Sequence, residues 1–438
     1  MNALIYGMHW KSQTKAIKEL EKDGLINVKI WIGKNKENDI NINKLRRVRF
    51  SKGIYSGLNS NLYDAVYKES FDTFLDMFSR NPAMYNITHQ EAINLFNYFF
   101  DYFSEILHTN KIELMIFHMF PHFGSDYLLT VLAKHMNIKM ILCYQTIFPN
   151  RFHYVTNLDD YGKFDSCKVE FFHEYVDIKK GVKNIPFYMK NIKLKYKSCF
   201  VTFLIKLRRY LLRSVSRMGF LGMIQSTYDC FQFKYYYNKL AKNSFDANKK
   251  YVYFPLQMQP ELTTSTIGGI YTDQILAIEK IANIIPKDWV IYVKENPKQL
   301  EGHRGKYFFE RLSLIKNVVY LSKEVSSFEL INSCQFVANV TGTVCWEAIT
   351  SGKVAVVFGR SWFQEFPGII KYRYDLKLEE IINYKFEHKE VVKAFNHYLQ
   401  KTAIGIVDRG SIANYTEYTD ENNAKFLKDS LEKIIKSL

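Results

Sequence analysis

The stretch FVANVTGTVCWEAITSGKVAVVFG, residues 336–359, gathers the residue types best suited to chemistry. An apolar strand ends at Val340, TGT makes a turn, and a helix starts with Glu347 in its first or second turn. Free N–H groups at a helix start, with the hydroxyls of Thr341 and Thr343 and the close backbone approach that Gly342 permits, can hold a phosphate without a metal ion. Glu347 is then placed to accept hydrogen bonds from ribose hydroxyls. The same residues also make an ordinary helix start, in which a threonine caps the first turn and Glu347 supports the dipole.

Two more polar loops follow apolar runs. VIYVKENPKQ puts Lys294, Glu295, Asn296 and Pro297 just past a strand that the proline ends. YVYFPLQMQPELTTSTIGG leaves its strand at Leu256 into Gln257, Gln259, Glu261 and a run of hydroxyls. Each alone reads equally as a solvated turn, but all three leave one sheet on the same side. In the first half, IFHMFPHFGSDYLL carries His118, His122 and Asp126 through a strand, a turn and a helix start. His118 and His122 straddle Pro121 and share no helical face, so a zinc pair is not expected. His122 or Asp126 suits a general base; Asp126 equally suits a helix cap and His118 a satisfied core histidine. Arg151, in IFPNRF, suits an acidic ligand.

The elements that must position these residues alternate. Strand-like runs fall at 251–256, 289–294, 317–321, 336–340 and 354–359, with helical patterns near 275–285, 304–315, 326–333 and 343–351. Such alternation is the mark of a parallel sheet covered on both faces. The first half repeats it through NALIYGM, INVKIWIG, RRVRF, IELMIFHMF and IKMILCYQT, with helices near 89–109 and 125–137. The fold class read from this is α/β, with two Rossmann-like domains, a central cleft and C-terminal helices. The domains divide as 1–178, a basic segment at 179–249, a second α/β domain at 250–385, and helices over 386–438. Binding loops collect at the carboxyl ends of parallel strands.

The chain has 438 residues and a net charge of +16, too long for one usual core. From Lys179 to Tyr228 there are twelve Lys or Arg and no Asp or Glu, so most of the excess is local. There, apolar residues alternate with Lys206, Arg208, Arg209, Arg213 and Arg217, a pattern that fits an anionic membrane interface or a helix with one core face. No RNA-recognition pattern accompanies the charge. Six scattered cysteines, without C-x-x-C, fit a reducing compartment. No secretory leader and no spanning apolar run is read, so the expected location is cytoplasmic or peripheral on the inner membrane face.

No P-loop, no G-x-G-x-x-G after the first strand, no G-x-S-x-G elbow and no D-x-D occurs. The last absence disfavours transferases that hold a nucleotide sugar through a carboxylate-bound metal. The segments YFPLQMQPELTTS, YTDQILAIEKIA, WVIYVKENPKQ, VSSFELINSCQFVANVTGTVCWEA and VFGRSWFQEFPG together resemble the bacterial capsule polysaccharide biosynthesis family over about 250–370. FPHFGSDYLL and YQTIFPNRF extend the likeness more weakly over about 112–152.

The resemblance implies a GT-B fold and transfer of a 3-deoxy ulosonic acid, such as Kdo, pseudaminic acid or another sialic-type sugar, from a CMP donor to a surface glycan, with no metal. The chain is also similar to GT-B sialyltransferases, in which a His-Pro pair and a hydroxyl-bearing turn hold CMP. Asn296 with Pro297, and Thr341 to Thr343, stand at the matching positions. Asn in place of His cannot carry charge, which shifts leaving-group stabilisation toward Lys294, the TGT amides and Arg360. Arg151 is then expected on the donor carboxylate, Gln257 and Gln259 near the donor or acceptor, and His122, Asp126 or Glu261 as base or cation stabiliser. A UDP-sugar transferase or epimerase, and a membrane-surface scaffold, are the alternative readings.

Overall fold

A run of apolar strands spaced by helices builds the first part of the chain. In order these are β1 (Asn2–Tyr6), α1 (Lys11–Lys22), β2 (Asn27–Gly33), β3 (Ile40–Asn41), α2 (Ile42–Arg46), α3 (Ser60–Ser79), α4 (His89–Thr109), β4 (Leu114–Phe117), α5 (Gly124–His135), β5 (Lys139–Gln145) and β6 (Arg151–Val155). The computed structural model describes residues 1–46, 60–79, 87–181, 198–211, 220–299 and 304–438. The strand read at RRVRF lies beyond Arg46, outside the described residues.

The chain continues through α6 (Cys199–Leu211), α7 (Phe220–Leu240), β7 (Tyr251–Pro255), α8 (Leu262–Ser265), α9 (Gln274–Ile284), β8 (Val290–Lys294), α10 (Lys306–Leu314), β9 (Val318–Leu321), α11 (Ser327–Ser333), β10 (Phe336–Asn339), α12 (Val344–Thr350), β11 (Ala355–Val357), β12 (Ile369–Lys371), α13 (Leu378–Asn383) and α14 (His388–Gln400). It ends with β13 (Ala403–Ile404) and α15 (Asp420–Ser437). By contacts the molecule divides into Met1–Tyr175 with Asn396–Leu438, and Val176–Phe395.

The second unit holds one all-parallel sheet, ordered β12-β11-β10-β7-β8-β9. Its strands are buried on both faces, as the near-continuous apolar runs require. Local signals set the helices. Asp273 Oδ1 accepts the Ile275 N–H and starts α9, whose Ile275, Ile278 and Ile281 face the core beside Val252, Phe254 and Ile291. Ser326 caps α11 in the same way through the Glu329 N–H.

The first unit orders its strands β13-β6-β5-β4-β1-β2-β3. The five from β5 to β3 are parallel; β6 reverses on β5 and β13 on β6. The reversal comes from the turn after β5, where Thr146 Oγ1 accepts the Phe148 N–H and donates to Arg151 O, and Asn150 adopts a positive φ of 52°. Helix α4 lays Phe96 and Phe99 against Phe71, Phe74 and Phe78 of α3, mostly edge to face. Such ring pairs contribute about 0.5–1.5 kcal/mol each beyond their buried area.

The division expected at 178 and 386 shifts. The described residues of the basic segment group with the second unit, while β13 and α15 fold back into the first. The tail returns because α15 repeats Leu427, Leu431 and Ile434 at helical spacing, and these bury beside Ala16, Ile17 and Leu20 of α1.

Candidate functional site

The carboxyl edge of the second sheet collects the loops singled out above, and the strand order there reverses between β7 and β10. Ligands of open parallel sheets bind at such a reversal. The loops are joined by side chains rather than left open. Gln257 Oε1 accepts the Thr341 N–H at 2.8 Å, and its Nε2 donates to Thr341 Oγ1 at 2.8 Å. Thr341 Oγ1 in turn donates to Thr263 O. Asn339 donates to Pro255 O, and its Oδ1 accepts both the Thr341 and the Gly342 N–H.

This corrects the phosphate grip expected at TGT. The Thr341 and Gly342 amides are already engaged, and Thr341 is buried. The glycine serves the same closure, since a Cβ on Gly342 would stand 2.6 Å from Asn339 Oδ1. Thr343 and Glu347 remain half-buried on the turn and on α12.

Gln257 and Gln259 are likewise structural. Gln274 donates to Gln257 O and Gln259 Oε1 and accepts the Gln257 N–H; Gln299 clasps the Gln259 backbone from both sides. Beneath them lies a buried ion pair that the sequence reading missed, Arg304 Nε to Glu295 at 3.0 Å, both side chains at 1% exposure or less. Arg304 also donates to Gln257 O and Gln259 Oε1, while Tyr320 Oη and the Asn296 N–H donate to Glu295. Every acceptor on this pair has a donor, the condition under which burying it is tolerable. Asn296 spends its Oδ1 on the Lys298 N–H, shaping the turn, and Pro297 stands half-buried beside it.

Lys294 and Glu347 differ from this closed network. Lys294, at the end of β8, is 6% exposed, and Nζ donates to Ser327 Oγ at 2.7 Å, its one hydrogen bond among the described residues. Ser327 also accepts from Tyr253 Oη at 3.0 Å. An ammonium carries three donors, so two are unspent. Glu347 accepts no hydrogen bond among the described residues and closes no ion pair with Lys294. Burial pushes the Lys294 ammonium down to about 8, partly opposed by Glu347. Burial also pushes the Glu347 carboxyl up to about 7, partly opposed by Lys294. Desolvation outweighs their attraction at both groups, and perturbed, incompletely partnered pairs of this kind mark ligand sites. Ser327 and Tyr253 escaped the sequence reading; the hydroxyl that opens α11 was the available signal. Glu261 accepts from Thr263 Oγ1 in the β7 loop. Arg360 is half-buried after β11, with its N–H on Ile267 O.

In the first unit two expectations change. Asp126 is buried, and its carboxylate accepts the His122 and Phe123 N–H groups, so it caps α5. Burial still raises it to about 6, against Arg46 and those amides. Arg151 donates to Thr402 O and Phe172 O, pinning β6 and the tail instead of presenting its fork to an anion. His118 is buried with Nδ1 at 3.3 Å from Tyr6 O, a core histidine. His122 stands half-buried on the turn before α5. Among the described residues no three of His, Cys, Asp and Glu meet as a metal site, and no helix is long and apolar enough to cross a membrane.

Two Rossmann-like units in one chain, with binding loops at the sheet edges, are the make-up of the GT-B class. Residues 220–405 match the family model described as "Capsule polysaccharide biosynthesis protein". No curated protein matches the sequence. Among solved structures, the β-Kdo 2,7 transferase of Thermosulfurimonas dismutans KpsC is similar at 10% identity, over 78% of this chain and 90% of that one, with a TM-score of 0.35. The β-Kdo 2,4 transferase of the same protein aligns over 64% and 78% at 10% identity, TM-score 0.31. UDP-GlcNAc 2-epimerase from Neisseria meningitidis aligns over 99% and 100% at 13% identity, TM-score 0.24.

Proposed function

We propose that the chain is a glycosyltransferase of capsule polysaccharide synthesis, moving a 3-deoxy ulosonic or nonulosonic acid from a CMP donor to a surface glycan without a divalent metal. The observation that carries the reading is the pair of buried Lys294 and half-buried Glu347 at the carboxyl edge of the sheet, with hydrogen-bonding capacity unspent. The family match over the same region supports it.

Breaking a glycosyl phosphate bond creates an oxocarbenium-like centre and a departing phosphate, so anion stabilisation must strengthen as the bond breaks. In this reading the two spare Lys294 donors meet the phosphate, with Asn296, Thr343 and Arg360 at the rim, and the Glu347 carboxyl takes the ribose hydroxyls. Glu261 is assigned to the cationic centre and His122 to the acceptor proton. The α6–α7 pair leaves Phe200, Leu204, Ile224, Tyr228, Phe231 and Tyr235 exposed, the first four within the basic stretch Lys179–Tyr228, and we assign that surface to anionic lipid.

Thermal shift with CMP, UDP and GDP, then product analysis with CMP-sugars and a short glycan acceptor, tests the reading. CMP alone is expected to stabilise the protein, and a CMP-ulosonic acid to give product in the presence of EDTA. Stabilisation by UDP instead moves the donor to a UDP-sugar, and no response to any nucleotide leaves the scaffold.

A further inference from the structure

The first sheet has its own reversal of strand order, between β1 and β4. The backbone leaving β1 there is held in an unusual path. Gly7 has φ of 79° and Met8 of 48°, and a Cβ on Gly7 would stand 1.9 Å from His118 Nδ1. Trp31 Nε1 donates to Gly7 O, Thr14 Oγ1 to Met8 O and Asn35 Nδ2 to His9 O, so three side chains fix the loop.

That loop delivers His9 into the crevice. His9 is 7% exposed, and neither ring nitrogen makes a hydrogen bond. The Tyr6 hydroxyl, fully buried nearby, faces the Ser125 hydroxyl and Arg46. A buried polar group left unpaired is costly, and both His9 ring nitrogens are such atoms at this reversal point. Asp126 acts on Tyr6 from the other side, its carboxylate held by the His122 and Phe123 amides and by Arg46. Arg46 itself lies over the Phe123 ring at 3.9 Å.

We propose that this crevice, lined by Tyr6, His9 and Ser125 and flanked by Arg46 and Lys34, binds an anionic group of the carboxylate or phosphate class. Hydroxyls and imidazole N–H donate to anionic oxygens, and the two cations give them a favourable field. Burial, and after it the positive charges of Lys34 and Arg46, hold the His9 imidazole down to about 4. An anion beside it relieves that field. The site lies within the first unit and depends on neither the donor nor the family assignment.

The test follows the His9 imidazole by long-range proton–nitrogen NMR on the full chain with labelled histidine, the signal being assigned by its loss in His9→Gln. Saturating CMP is present to occupy the second unit. Three probes are titrated: a free 3-deoxy ulosonic acid, inorganic phosphate and a neutral hexose. One or both anions are expected to move the signal, the responding one naming the source as acidic sugar or phosphate. Lys34→Ala, at an exposed position that leaves the fold intact, is expected to weaken the response at least fivefold. No shift with either anion, an equal shift with the hexose, or an unchanged affinity in Lys34→Ala overturns the proposal.

Discussion

Gln257 grips Thr341 at two points, taking its N–H and giving to its hydroxyl, each at 2.8 Å. The link crosses the strand reversal and ties the loop after β7 to the loop after β10. Gln257→Leu removes both bonds and leaves buried partners short of hydrogen bonds, a loss of about 1–3 kcal/mol. Urea unfolding should show a lower midpoint at an unchanged slope.

Arg304→Met leaves Glu295 buried without its cation. Removing one partner of a buried pair costs about 3–5 kcal/mol, whereas replacing both with apolar residues is often neutral. Arg304→Met is therefore expected to unfold at much lower denaturant, and Arg304→Met with Glu295→Met to recover a large part of the loss. Equal stability of the single and double variants would contradict this account.

Lys294→Met tests the anion grip directly. Loss of one preorganised donor to a leaving group lowers turnover by about 10²–10³-fold. Stability should hold or rise, because the variant also removes a desolvated charge. Steady-state rates with a CMP-sugar, paired with a thermal melt, separate the two effects.

Glu347 gives a pH signature. Its carboxyl is raised to about 7 in the folded protein from an ordinary 4.5, so between those values the folded state holds a proton that the unfolded state has released. Its contribution to stability therefore falls as pH rises through this window. Glu347→Gln should flatten that decline in denaturation curves measured from pH 4.5 to 7. A slope identical to that of the parent protein would locate the effect elsewhere.

Vesicle sedimentation addresses the α6–α7 surface. Anionic vesicles should carry down the protein and neutral ones much less, with the difference shrinking at high salt. Phe231→Asp, at a side chain 56% exposed, should reduce binding without lowering the melting temperature.

Much of the second unit could be read from its sequence. Its strands are unbroken apolar runs, and its helices begin at recognisable caps such as Asp273 and Ser326. The loops that carry the site were also legible, because chain order alone brings parallel strand ends to one edge. Their partners were not. Nothing local to TGT shows that Asn339 and Gln257 turn onto its amides, or that Arg304 lies against Glu295, since these contacts depend on tertiary placement. In the first unit the helix Ser60–Ser79 passed unread because aromatics spread over its length blur the polar face. The antiparallel strand at Arg151 was hidden because its direction depends on the turn at Thr146. His9 drew no attention beside the more suggestive His118 and His122, although it alone of the three has both ring nitrogens buried and unpartnered.

The second unit is spliced into the first, which opens at Met1 and closes only with β13 and α15. During translation the segment 176–395 leaves the ribosome whole while its host still lacks an edge strand and the helix that shields α1. The inserted unit can therefore mature early, and the host must wait for the last forty or so residues. A chain stopped at Phe395 would retain the Lys294 and Glu347 pair yet expose the apolar side of α1, so the tail acts as the latch on assembly of the whole molecule.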